Sequence, residues 1–220
     1  MQHFTLGLIE ALTFIADKEK AVDMKAYMKN QFEFAGITMP VRRLALKDYI
    51  KNYKDEYNIE EVTRELWDLP EREYQYCAIE ILADNKKNWQ QQIIALIEDC
   101  IITKSWWDTI DFIAPELLRP YFKKYPAAIN SITKRWNESS NIWLQRSSLL
   151  FQKSYKKETD VNLLSAYIIN LSTSKEFFVQ KAIGWILREY AKTNPEWVEA
   201  FVMQNPLPPL SKREALKLLK

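Results

Sequence analysis

The chain has 220 residues, 47% of them apolar and 27% charged, with a net charge of +2. That is the make-up of a globular chain able to bury a real core, and so small a net charge neither requires nor excludes a polyanionic partner. Three glycines leave little room for hairpin turns or phosphate-cradling loops, a single histidine removes Ser-His and Cys-His chemistry and zinc clusters, and eight tryptophans exceed what such a core needs.

The start, Met1-Gln2-His3-Phe4, lacks a basic region and Glu10 interrupts the apolar stretch that follows, so no signal peptide is expected. Phe4, Leu8, Leu12 and Ile15 fall on one face of a first helix. No later stretch approaches the roughly 18–20 apolar residues of a membrane span, and a cytoplasmic location is expected. Cys77 and Cys100 sit in helix-like apolar segments without a CxxC spacing and read as buried free thiols. Pro40, Pro70, Pro126 and Pro195 each open a helical run, with Asn194 as the natural cap before Pro195. Ser211 with Glu214 reads as a capping box. Breaks fall near Asn85-Lys86-Lys87, Lys124-Tyr125-Pro126, Asn137-Glu138-Ser139-Ser140 and Leu207-Pro208-Pro209, which predicts roughly a dozen helices joined by short loops.

Four strongly helical segments are centred near Ala78, Ile113, Arg146 and Ile183, at spacings of 35, 33 and 37 residues. Shorter helices are expected between them at Trp89 to Asp99, Pro126 to Trp136 and Asp160 to Asn170. A helix pair every ~35 to 40 residues predicts an all-α fold, a curved α-solenoid of HEAT-like repeats whose stacking presents a concave face. An irregular helical bundle is the other reading of the same spacing. Residues 1–220 are expected to form one such domain.

With histidine, metal clusters, GxGxxG and the P-loop all absent from the sequence, any catalysis falls to carboxylates, lysines, tyrosines or arginines. Val179, Ala182, Ile183, Ile186 and Tyr190 form an apolar stripe, while the opposite side carries Lys181, Trp185, Arg188 and Lys192. A tryptophan in a row of cations fits a groove that holds phosphates on Lys and Arg and packs a nucleotide against the indole. It fits equally a surface tryptophan under a lysine stem. Arg146, Lys153 and Lys157 form a second basic row, for which a solvated face is the plain alternative. One repeat earlier, Trp107 and Asp111 share a helical face, with Asp108 nearby. From that segment alone Asp111 reads as well as a capping or salt-bridging residue. The three segments hold equivalent places in successive repeats, so Trp107, Asp111, Arg146, Trp185 and Arg188 would converge on one surface, a single carboxylate among cations and indoles.

The runs Ser105-Trp106-Trp107-Asp108-Thr109-Ile110-Asp111, Trp143-Leu144-Gln145-Arg146 and Lys181-Ala182-Ile183-Gly184-Trp185-Ile186-Leu187-Arg188-Glu189-Tyr190 together resemble the bacterial DNA alkylation repair family, AlkD-type alkylpurine DNA glycosylases built from HEAT-like repeats. The segment from Tyr27 to Ile37 and the run Asn194-Pro195-Glu196-Trp197-Val198 are similar to that family as well, so the likeness covers nearly the whole chain. It implies Asp111 as the catalytic carboxylate, with Trp107, Trp185 and Arg146 lining the cleft around the lesion and its sugar. Arg188, Phe177 and Phe178 are implied for the DNA surface. Lys181, Lys192, Lys153, Lys104 and Tyr27 complete the residues assigned to DNA binding. Thr38 departs from the family, where a glutamine reaching toward DNA is expected, and this bears on an N-terminal contact and not on the chemistry.

The residues suit removal of N3- and N7-alkylated purines from duplex DNA. Such a base is cationic and leaves neutral, so no general acid is needed, while a nearby carboxylate stabilises positive charge developing on the deoxyribose. No metal or cofactor is expected. The expected partner is duplex DNA containing alkylated bases, and a monomer is expected because DNA would occupy the concave face. A non-catalytic DNA-binding scaffold and a protein-binding solenoid with tryptophan hot spots are the alternatives.

Overall fold

The structure, a computed structural model, describes residues 1–53 and 55–219. Those residues are helical throughout, apart from turns and one isolated bridge between Glu33 and Glu71. They fall into two compact units, Met1–Asn88 and the residues from Trp89 onward.

The first unit holds α1 (His3–Phe14), α2 (Lys18–Tyr27), α3 (Met39–Asn52), α4 (Ile59–Asp68) and α5 (Arg72–Asp84). Helix α1 buries Phe4, Leu8 and Leu12 as its periodicity predicts, with Ile15 of the expected face standing as its half-buried C-cap, and packs on α3 and α4. Helix α5 is buried nearly all round, and Cys77, Ala78, Ile81 and Leu82 are fully buried. Several buried polar groups there are paired across helices. The Arg42 guanidinium forks onto Glu80 at 2.6 and 3.1 Å. The Glu73 carboxylate accepts the backbone N–H groups of Ala35, Gly36 and Ile37 at 3.0, 2.9 and 3.0 Å, closing a turn in which Gly36 takes φ 79°.

The second unit holds α6 (Ile93–Ile102), α7 (Trp107–Ile113), α8 (Arg119–Lys124), α9 (Ile129–Asn137), α10 (Ile142–Leu150), α11 (Val161–Leu171), α12 (Phe177–Ala191), α13 (Pro195–Gln204) and α14 (Pro209–Ala215). The segments expected around Ile113, Arg146 and Ile183 are the run α7–α8, α10 and α12. The shorter helices between them are α9 and α11. Helix α10 packs on α9 and α12 and touches α7, so three successive repeats lie side by side. Start signals act as anticipated at Asn194, whose Oδ1 accepts the Trp197 N–H at 3.0 Å ahead of Pro195. Cys77 and Cys100 are both buried and unbridged.

Three local expectations need correction. Pro70 lies two residues ahead of α5 instead of opening it, and the helix expected from Trp89 begins at Ile93. Ser211 and Glu214 form no capping box. Pro209 is the first residue of α14, so Ser211 lies inside the helix, and its Oγ donates to the Gln180 carbonyl of α12 at 2.8 Å. Proline fits the first turn without losing a hydrogen bond, and that shifts the start two residues upstream of the serine.

Candidate functional site

Asp111 lies in the last turn of α7. Four residues on stands Pro115, which lacks the N–H an α-helix would donate to the Asp111 carbonyl. The chain answers with a π turn over Ala114–Leu118 before α8 resumes. Such wide turns are common beside functional sites because they free a carbonyl and re-aim the preceding side chains.

The Asp111 side chain is mostly buried and meets Arg146, 35 residues away on α10. Arg146 Nε and Nη2 both donate to Asp111 Oδ1, at 3.0 and 2.6 Å. Its Nη1 donates to the Phe178 carbonyl in the first turn of α12, at 2.7 Å. The guanidinium is only 3% exposed, so one buried cation ties three successive repeats together and fixes the carboxylate. Among the described residues nothing donates to Oδ2. Asp111 lines a cavity of about 320 Å³ together with Trp107, Arg146, Phe177, Phe178, Lys181, Trp185, Arg188 and Glu214.

Cations and indoles alternate around this cavity. The Trp185 ring lies 5.7 Å from the Arg146 guanidinium carbon and 3.8 Å from Lys153 Nζ. This is the charge-over-ring arrangement that desolvated cations favour. Burial holds Lys153 below the ordinary lysine range, while Asp111 and Glu189 pull it back up. Burial likewise lifts the Asp111 carboxyl above its ordinary value, and Arg146 and Lys153 only partly offset this. Behind the cavity, Trp106, Trp143 and Phe178 pack ring against ring at centroid distances of 5.0 to 5.8 Å. That cluster seats the turn whose carbonyl holds Arg146.

Trp107, Asp111, Arg146, Phe177, Phe178, Lys181, Trp185 and Arg188 therefore share one cavity, with Lys153 against its tryptophan. Others lie elsewhere. Lys192 pairs with Glu189 at 2.6 Å and lines a separate cavity with Tyr190 and Thr193. Lys104 stands at φ 46° in the turn before α7. Tyr27 is exposed at the end of α2 in the first unit, and Thr38 is the exposed N-cap of α3. Sequence reasoning missed the Phe178 carbonyl and Glu214 as parts of the site. The only signal for Glu214 was its spacing from Ser211, which pointed to a cap.

A carboxylate fixed through one oxygen, in a cavity walled by indoles and cations, suits stabilisation of a cationic sugar on a polyanionic backbone. Among the described residues no group of three or more histidine, cysteine, aspartate or glutamate side chains could hold a metal ion, and no helix is long and apolar enough to cross a membrane.

The fold is that of a helical-repeat protein, with a carboxylate, cations and indoles gathered in one cavity of its second unit. The family described as DNA alkylation repair enzyme matches residues 8–219, and the chain belongs to that family. A solved structure described as a predicted DNA alkylation repair enzyme from Enterococcus faecalis is 34% identical, with a TM-score of 0.85 over 93% of this chain and 96% of that one. Two structures from Streptococcus mutans share the fold. The protein smu.31 of strain UA159 is 20% identical, with a TM-score of 0.60 over 89% of this chain and 94% of that one. AlkD2 is 22% identical, with a TM-score of 0.58 over 80% of this chain and 86% of that one. A search of the curated proteins finds no match.

Proposed function

We propose that the protein is a monofunctional DNA glycosylase that hydrolyses the N-glycosidic bond of cationic N3- and N7-alkylated purines in duplex DNA, as the first step of base excision repair. The observation that carries this reading is the Asp111 carboxylate, whose Oδ1 accepts both hydrogen bonds from buried Arg146, in a cavity also lined by Trp107 and Trp185.

As the glycosidic bond stretches, the alkylated base leaves as a neutral leaving group and positive charge passes to the deoxyribose. Asp111 faces that charge. At about 4 Å and an effective dielectric near 20, the attraction is on the order of 4 kcal/mol, roughly a thousandfold in rate. Oδ2 also has a lone pair free to orient the attacking water, which completes hydrolysis by bonding to the anomeric carbon and losing a proton. Trp107 and Trp185 offer their π faces to the cationic nucleoside, and Lys181 and Arg188 face the flanking phosphates. The chemistry uses no general acid for the base, which suits a cavity without histidine.

The test is release of free base from a duplex carrying N7-methylguanine, under single turnover. Wild-type protein should release the base, and Asp111→Asn should be slower by about a thousandfold. No release by the wild type rejects the enzyme reading. Equal release by the variant rejects the role of Asp111.

A further inference from the structure

Glu214 is the second carboxylate of the cavity, and the mechanism above does not use it. It comes from α14, yet it points into a row of cations on α12. Its Oε1 lies 3.1 Å from Lys181 Nζ and its Oε2 lies 2.9 Å from Arg188 Nη1. It is only 12% exposed, against 37% for Lys181 and 22% for Arg188. Those hydrogen bonds, that of Lys181 foremost, hold its carboxyl below the usual glutamate range, so it is an anion at neutral pH.

The placement is built in. Lys181 and Arg188 are two turns apart on one face of α12, and Gly184 lies between them. A Cβ on Gly184 would come within 2.5 Å of Glu214 Cβ and 2.8 Å of the Ser211 carbonyl. Only glycine lets α14 sit this close, and the Ser211 bond to the Gln180 carbonyl pins the same contact. The backbone has thus been shaped to bring one carboxylate between two cations that border a cavity. A carboxylate bridging a lysine and an arginine is the geometry in which those cations receive a phosphate.

We infer that Glu214 is an intramolecular stand-in for a backbone phosphodiester, occupying the Lys181–Arg188 site in the free protein and yielding it to DNA. This rests on the DNA-binding reading above and adds a phosphate subsite with its own built-in competitor. The consequence is selectivity. Two cations left bare would grip any duplex, whereas a competing anion weakens binding to undamaged DNA and leaves more of the discrimination to the cationic lesion at Asp111.

The test compares wild-type protein with Glu214→Gln for affinity to an undamaged duplex across a salt series, with thermal unfolding recorded for both. The amide keeps the shape and removes the charge. The variant should bind about threefold or more tightly, and its logarithmic salt slope should be steeper by about 0.9, one additional phosphate neutralised. Equal or weaker binding at an unchanged slope overturns the inference while leaving the DNA reading intact. Salt-independent or absent binding by the wild type overturns both. Should Glu214→Gln fail to fold, Lys181→Met decides. A lower affinity with a slope shallower by about 0.9 supports the subsite, and unchanged affinity shows that Lys181 serves Glu214 alone and overturns it.

Discussion

Asp111 is under two opposing influences, and burial is the stronger. The cavity wall removes water from its carboxylate, and the guanidinium beside it recovers only part of that loss. The native chain therefore holds the Asp111 proton more tightly than the unfolded chain does. Stability contributed by this group falls as pH rises from the ordinary aspartate value of 3.8 through the raised native one. The anion needed for chemistry is thus held at a cost to the fold. Base release should be flat near neutrality and fall on acidification with an inflection above 3.8, read from single-turnover rates against pH. An inflection below that value would show Arg146 outweighing burial. The arginine itself is hard to replace. Arg146→Lys cannot reach Oδ1 twice and the Phe178 carbonyl once, so the expected outcome is a loss of about 3–5 kcal/mol in chemical denaturation together with most of the activity. Retention of full stability would show that the three-way fork is not what joins the repeats.

The elements meet where side chains are smallest or where a proline forces a new register. Gly184 in α12 is the sharpest case. On helix propensity alone, Ala is favoured over Gly by about 1 kcal/mol. The predicted contact of 2.5 Å with Glu214 Cβ and 2.8 Å with the Ser211 carbonyl opposes it, and overpacking of that kind costs about 1–3 kcal/mol. Backbone atoms of α14 cannot swing aside as a flexible side chain does, so the steric term should win. Gly184→Ala is expected to lower the melting temperature by several degrees, about 2–4 °C per kcal/mol in a chain of this size, as measured by calorimetry. A rise in melting temperature would show that α14 is free to move away. At the other end of the site, Pro115 shows how a residue without an N–H can be used: the π turn it imposes lies directly beyond the carboxylate.

At the scale of the whole molecule the net charge of +2 conceals its distribution. The cavity of the second unit gathers Arg146, Lys181 and Arg188 against Asp111 and Glu214. If a backbone phosphate is held by Lys181 and Arg188, undamaged duplex DNA should bind with an affinity that falls as salt is raised between about 50 and 200 mM. A slope near zero would favour a protein ligand over DNA. Much of this organisation was legible in the sequence. The periodicity of Phe4, Leu8 and Leu12 fixed a helix face, Asn194 announced a helix start, and the spacing of Ile113, Arg146 and Ile183 announced neighbouring repeats. The same register brought Asp111, Arg146 and Trp185 together, because residues one repeat apart lie side by side once repeats stack.

Other parts of the site were not legible, for a physical reason. The row Lys181, Trp185, Arg188 and Lys192 is continuous on a helical wheel, but Lys192 falls at the helix end and turns to Glu189. Glu214 looked like a capping residue because capping is a local pattern, whereas its real partners lie 26 and 33 residues away on another helix. The Phe178 carbonyl has no side-chain signature at all. Sequence periodicity determined the helices, their order and the face each would bury, since those depend on neighbours within a few residues. The tertiary structure alone decided which oxygen of Asp111 is held and which cations are already engaged, since those depend on distances between helices that no local pattern encodes.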